Sequence, residues 1–146
     1  MGRLIVGSRP EWIFFDVDQT LCDFDAMMRR ALSGSIAEME RRWPTLTGRY
    51  RPEDLEAVRN TIAATYGDRP VPLVQVRRAM FAEVLADLAD AAAIDQITDH
   101  YLAIRFADPV LFPDVIPVLE ALQSELRLGV ITNGNSKAAL SAIYQA

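Results

Sequence analysis

Two short apolar runs, each stopping at a polar cluster, constrain this 146-residue chain more than any other feature. Trp12-Ile13-Phe14-Phe15 ends at Asp16, and Leu128-Gly129-Val130-Ile131 ends at Thr132-Asn133-Gly134. Continuous apolar runs of this length suit strands buried on both faces, as in a parallel sheet. In an open α/β sheet, ligands bind beyond the carboxyl ends of the strands, so the polar residues after each run mark a candidate site. Residues 17–127 separate the two runs. A parallel crossover needs only a dozen or so residues, so something larger than one connecting helix is inserted.

Most of the intervening chain has helical periodicity. Phe24, Met28, Leu32, Ile36, Met39 and Trp43 recur at spacings of three and four. Leu55, Val58, Ile62 and Tyr66 repeat the pattern, with Pro52-Glu53-Asp54 as a start signal and Gly67 as a stop. Val74, Arg77, Phe81, Val84 and Leu88 form a third stripe, and Ile94, Ile97, Tyr101 and Ile104 a fourth. The alanine-rich stretch Ala82–Ala93 reads as helix rather than linker. A fifth helix is expected from Asp114 as N-cap, tolerating Pro117 early and turning Val118, Leu119, Leu122 and Leu126 inward. The pattern predicts an α/β parallel-sheet core, residues 1–21 and 109–146, interrupted by a four-helix insert, residues 22–108. The chain reaches Ala146 inside a helical-looking segment that begins at Ser136. Two strands and one crossover helix make an incomplete core, because strands covered on both faces need more neighbours.

Charge and composition exclude several function classes. Twenty acidic against fifteen basic residues leave a net charge of −5, which argues against a nucleic-acid-binding surface. No apolar run approaches the roughly 18 residues of a membrane span. The start, Met1 to Val6, lacks a run of signal-peptide length. Cys22, the only cysteine, cannot form an internal disulfide and reads as a small buried apolar residue. The expectation is a cytoplasmic protein with no nucleic-acid or membrane partner. His100, the only histidine, reads as a surface or boundary residue of a helix. Arg29-Arg30, Arg41-Arg42 and Arg77-Arg78 read as solvated helix faces, although one of them facing a cleft could bind a substrate carboxylate or second phosphate.

Asp16-Val17-Asp18-Gln19-Thr20-Leu21 sets two carboxylates two residues apart, directly after the first strand. A calcium loop of the EF-hand type is excluded, since Leu21 stands at its glycine position and Met27 at its bidentate glutamate. Solvated acids at a strand end are one explanation; a cation and a reaction are the other. Asp16-Val17-Asp18-Gln19-Thr20 resembles the first motif, DxDxT, of the haloacid dehalogenase (HAD) superfamily, and Thr132-Asn133-Gly134 resembles its second. Phe112-Pro113-Asp114 through Leu122 resembles the segment where such proteins re-enter their core. The resemblance runs from Trp12 onward. It implies a Rossmannoid parallel-sheet core, incomplete here, with an inserted helical-bundle cap of the C1 type.

It also implies a chemistry. A phosphate monoester repels a carboxylate nucleophile, by about 4 kcal/mol per charge pair at ~4 Å and an effective dielectric near 20. A hard cation such as Mg²⁺, held by oxygen ligands, removes that penalty. By resemblance, Asp16 is the nucleophile and a magnesium ligand. Asp18 binds magnesium through its backbone carbonyl, protonates the leaving group and then activates water, work that favours partial desolvation. Thr132 hydrogen-bonds the transferring phosphoryl group, with Asn133 and the Gly134 amide shaping the pocket. The substrate would be a small phosphorylated metabolite, with the cap excluding water during transfer. Dehalogenases of the superfamily lack an acid at the position of Asp18, because a halide leaves without a proton. Gln19 departs from the glycine often seen there. The third motif's lysine and the fourth motif's acids lie well beyond the second motif, and Lys137, the only lysine, is too close to it to serve. The 146 residues thus hold half an active site, and the expectation is a phosphatase chain impaired by truncation. The alternatives are a non-catalytic binding or regulatory module, self-associating through its incomplete sheet, and a 2-haloacid dehalogenase.

Overall fold

The computed structural model describes residues 10–67 and 73–132; Asn133, Gly134 and the anticipated helix from Ser136 lie outside them. Tertiary contacts divide the chain into two compact units, Met1–Asp23 with Val110–Ala146, and Phe24–Pro109.

The first unit is built on a two-stranded parallel sheet. Strand β1 (Trp12–Phe15) pairs with strand β2 (Arg127–Val130) in the register Trp12↔Arg127 through Phe15↔Val130. The Arg127 N–H donates to Glu11 O and the Ile131 N–H to Phe15 O, both at 2.9 Å, so pairing extends past each end. Helix α5 (Val115–Gln123) precedes β2 and packs against it. It starts after Asp114 as expected, though the Asp114 side chain makes no capping bond. Pro117 falls in the first turn, where a missing N–H leaves no intrahelical bond unmade. Val115 is the buried residue of this helix, whereas Val118, expected inward, is exposed.

Burial of the strands on both faces is not what the structure shows. Trp12 is 46% and Phe14 56% exposed, and their rings stack on each other with centroids 5.8 Å apart and planes 9° from parallel. Side chains alternate between the faces of a strand, so these two share the face that solvent reaches. The Phe14 ring also lies over β2 where Gly129 has no side chain; a Cβ there would meet it at 2.6 Å. The two rings shield each other and the glycine, which does part of what a covering helix would.

The second unit is helical: α1 (Phe24–Arg42), a 3-10 turn (Pro44–Leu46), α2 (Pro52–Ala64), α3 (Leu73–Val84) and α4 (Ala91–Ala107). Met28, Ala31, Leu32, Ile36 and Met39 of α1 are buried, and they form one core with Leu46, Leu55, Met80, Phe81, Ile97 and Tyr101. Trp43 and Ile104 pack against that core from its edge. Arg51 starts α2, its N–H donating to Asp54 Oδ2 at 2.8 Å, and Gly67, at φ +56°, follows the helix in the left-handed conformation a stop requires. The apolar face of α3 differs in phase from the expected stripe. Val76, Arg77, Met80 and Phe81 are buried, while Val74 and Leu88 are exposed. The alanine-rich stretch does not form one helix either. The chain turns after Val84, and Asp90 caps α4 by accepting the Ala93 N–H at 2.8 Å. Burying both Leu85 and Ile94 in one core outweighs alanine's helix preference of under ~1 kcal/mol per residue.

Candidate active site

Parallel pairing in register ends β1 and β2 at the same edge of the sheet, so Asp16 and Thr132 leave it at the same end. The loop after β1 is tightly wound. The Val17 carbonyl accepts the N–H groups of Leu21 and Cys22 at 3.0 and 2.9 Å, with Thr20 N–H farther off at 3.4 Å. The Gln19 N–H donates to Cys22 O at 2.9 Å. Gln19 reverses the chain at φ +58°, the one non-glycine residue in the left-handed region among the described residues. Val17, Leu21 and Cys22 are buried, which anchors the loop from below.

The pattern explains how the acids are presented. Val17 points into the unit, so its neighbours Asp16 and Asp18 flank an anchored residue. Asp16 is exposed and Asp18 half-buried. The loop is tied down at its far end as well: Phe112 N–H donates to Leu21 O at 3.2 Å, and Asp23 N–H to Val110 O at 2.8 Å. Thr132 is half-buried just beyond the last paired residue of β2. Both acids and Thr132 therefore belong to one end of one sheet, while Asn133, Gly134 and Lys137 fall outside the described residues. Asp16 and Asp18 offer hard oxygen donors, suited to a divalent cation such as magnesium. Among the described residues, no three His, Cys, Asp or Glu side chains cluster as a metal centre.

The sequence matches the family model of haloacid dehalogenase-like hydrolases over residues 10–146. The chain belongs to this family. No curated protein sequence matches it. Among solved structures, the HAD-hydrolase YfnB from Bacillus subtilis, in a form bound to magnesium, superposes with a TM-score of 0.69 at 17% identity. That likeness covers 94% of this chain and 59% of YfnB. A 2-haloacid dehalogenase from Pseudomonas syringae pv. Tomato DC3000 follows at 0.62 and 25% identity, over 91% of this chain and 60% of the other. A defluorinating L-2-haloacid dehalogenase matches at 0.56 and 18% identity, over 96% and 58%. The HAD-like chain thus spans about three-fifths of the length of the structures it matches. Its mixed α/β architecture with a small parallel sheet is the HAD fold.

Other residues of the HAD-like chain divide into those anticipated and those missed. Cys22 is buried, as a small apolar residue should be, and His100 is half-buried on α4. Among the described residues, no helix is long and apolar enough to cross a membrane. Arg77 is the correction. Expected in a solvated pair, it is 7% exposed, and Arg105, whose burial no local signal announces by itself, is 5% exposed. Spacing carries the signal: Arg77 lies four residues before Phe81, and Arg105 four after Tyr101, each in line with an apolar stripe.

Proposed function

We propose that this chain is the nucleophile-bearing part of a magnesium-dependent phosphomonoester hydrolase that works through an aspartyl-phosphate on Asp16. The observation that carries this reading is Asp18. A second acid two residues from the first, half-buried and set by the Val17-anchored loop, is what an alkoxide leaving group requires and a halide does not. The exposed Asp16 carboxylate attacks phosphorus, and the Asp18 carboxyl gives its proton to the leaving oxygen, then takes one from the attacking water. Thr132 donates its hydroxyl to the phosphoryl oxygens, with Asn133 and the Gly134 amide beside it. Asp16 and the Asp18 carbonyl fit Mg²⁺, which commonly takes one or two carboxylates and fills its shell with water and substrate phosphate. Bound there, the ion would neutralise the charge that otherwise sets carboxylate against phosphate. The helical unit, residues 22–108 in the domain division expected from the sequence, would serve as the cap over a small phosphorylated metabolite.

Dehalogenation of a 2-haloacid is the second reading, favoured by the 25% identity to the Pseudomonas syringae enzyme. Both readings use Asp16 and separate at Asp18. Fluoroberyllate, a phosphoryl mimic, tests the first without depending on turnover. A bound ¹⁹F signal is expected that needs magnesium and disappears in Asp16→Asn; no bound signal in the unaltered chain refutes the reading. p-Nitrophenyl phosphate and 2-chloropropionate run side by side then report the leaving group. Halide release in place of p-nitrophenol assigns the second reading.

A further inference from the structure

Two arginines of the helical unit, Arg77 and Arg105, are buried without the carboxylates that normally accompany buried charge, and beside them the side chain of Arg59 is 27% exposed with its Nε turned inward. Arg59 lies on α2, Arg77 on α3 and Arg105 on α4. Arg105 Nη1 and Arg59 Nε are shut off from solvent and have no hydrogen-bond partner. The contacts they do make are soft. The Arg105 guanidinium lies 4.2 Å from the Phe24 ring centroid and Arg77 4.9 Å from that of Tyr101. Arg59 Nη2 faces Met28 Sδ at 3.7 Å and Arg77 Nη1 faces Met80 Sδ at 3.9 Å. Among the described residues, Glu56 is the one carboxylate paired with any of the three; it stands 4.0 Å from Arg59 on a side chain that is 39% exposed.

These contacts draw on all four helices and converge at one pole. Phe24 and Met28 are one turn apart on α1, and Tyr101 and Arg105 one turn apart on α4. Burial lowers the pKa of Arg77, and the charges of Arg59 and Arg105 add to that effect against opposing contributions from Tyr101 and Glu56, so the three cations sense one another. Rings and thioethers steady a guanidinium without cancelling its charge. Charged side chains are almost never fully buried unless paired, and the planar fork of arginine is matched to carboxylate and phosphate oxygens.

We propose that this pole of the helical unit is an oxyanion site, in which Arg59, Arg77 and Arg105 receive a dianionic phosphate or dicarboxylate as their missing counter-charge. The site uses neither Asp16 nor Asp18, so it goes beyond the hydrolytic reading and stands apart from it. Its rival is a purely structural cluster, held by stacking alone.

Thermal unfolding of the 146-residue chain in inorganic phosphate, in malonate and in sodium chloride of equal ionic strength separates the two. The expected result is a saturable Tm rise of roughly 5 °C in phosphate or malonate over chloride. Whichever anion produces it identifies the head group. Arg105→Met keeps an apolar stem over Phe24 and removes the charge; it should match or exceed the unaltered Tm in chloride and lose the anion-dependent rise. Arg77→Met serves the same purpose should Arg105→Met fail to fold. Arg41→Met, an exposed arginine paired with Glu38, should keep the rise. No difference between the anions and chloride overturns the proposal. So does a rise that survives in Arg105→Met or Arg77→Met, because the anion would then be held elsewhere, the loop of Asp16 included.

Discussion

Replacing Gly34 with alanine in the middle of α1 should bring no gain in stability, although alanine is the better helix former. Helix propensity alone would stabilise by about 1 kcal/mol. A Cβ on Gly34, however, would run into Ile104 Cδ1 of α4, well inside van der Waals contact, while the next two atoms of Ile104 lie at 3.7 and 3.9 Å. The atom that must give is the far end of the half-buried Ile104 side chain, so the cost falls at the low end of overpacking, about 1 kcal/mol. The two effects offset, and the net expectation for Gly34→Ala is a change near zero. Ile104→Val deletes the clashing atom at a cost of about 0.5–1.5 kcal/mol, toward the lower end because Ile104 is half-buried. In the double variant the alanine keeps its propensity and meets only ordinary contacts, so its stability should match or slightly exceed the starting value. The two changes should be coupled by about 1 kcal/mol, above the ~0.5 kcal/mol scatter of independent sites. Urea unfolding of the four proteins measures the coupling. A stabilising Gly34→Ala, or additive changes, would falsify the close α1–α4 approach.

The left-handed conformation of Gln19 gives a second expectation: Gln19→Gly should stabilise by up to about 1 kcal/mol and Gln19→Val destabilise by about 2 kcal/mol, read as shifts in Tm. Equal stabilities in all three would remove the backbone strain from the loop. On α1, hydrogen bonds from Arg41 and then Arg42 hold the Glu38 carboxyl at about 2, against an ordinary 4.5. Because the folded value is the lower one, Glu38 supports the fold fully above about 4.5 and loses its contribution as pH falls toward about 2. An NMR titration should find its midpoint near 2, and Glu38→Gln should flatten the acid limb of stability; a midpoint near 4.5 removes the ion pair from solution.

What could be read ahead of the structure was decided by how unambiguous each local signal is. The two apolar runs and the polar residues after them were sufficient for the strands, their parallel pairing and the end of the sheet that carries Asp16 and Thr132. The stripe of α1 was legible because Leu32, Ile36 and Met39 have polar or small residues around them. Around α3 apolar residues stand on both sides of the helix, Val74 beside Val76 and Met80 beside Phe81, so periodicity leaves the phase open and packing decides it. Arg77 and Arg105 were hidden for a related reason: an arginine in an apolar stripe reads as solvated unless its aromatic and sulfur neighbours from other helices are known. A run such as Trp12–Phe15 has the same composition on both faces, and only the fold shows which face stays open. In the DxDxT loop the residue types were visible but not the turn at Gln19, where a glycine is the residue expected by resemblance.

The loop's far end has a consequence for how such a chain tolerates change. Leu21, Cys22 and Asp23 run antiparallel to Val110, Leu111 and Phe112, joined by the Cys22–Leu111 bridge and the bonds from Phe112 to Leu21 and from Asp23 to Val110. The pairing acts as the stem of a stem-and-loop, with the whole of Phe24–Pro109 as its loop. Once a stem is closed, the entropy of the loop grows only with the logarithm of its length, about 0.6 kcal/mol for each doubling. Lengthening, exchanging or even shortening the helices to a turn between Asp23 and Val110 therefore places little demand on the segment holding the two acids. The helical unit can change with little effect on this stem, while Asp16 and Asp18 keep their geometry from a few residues of their own.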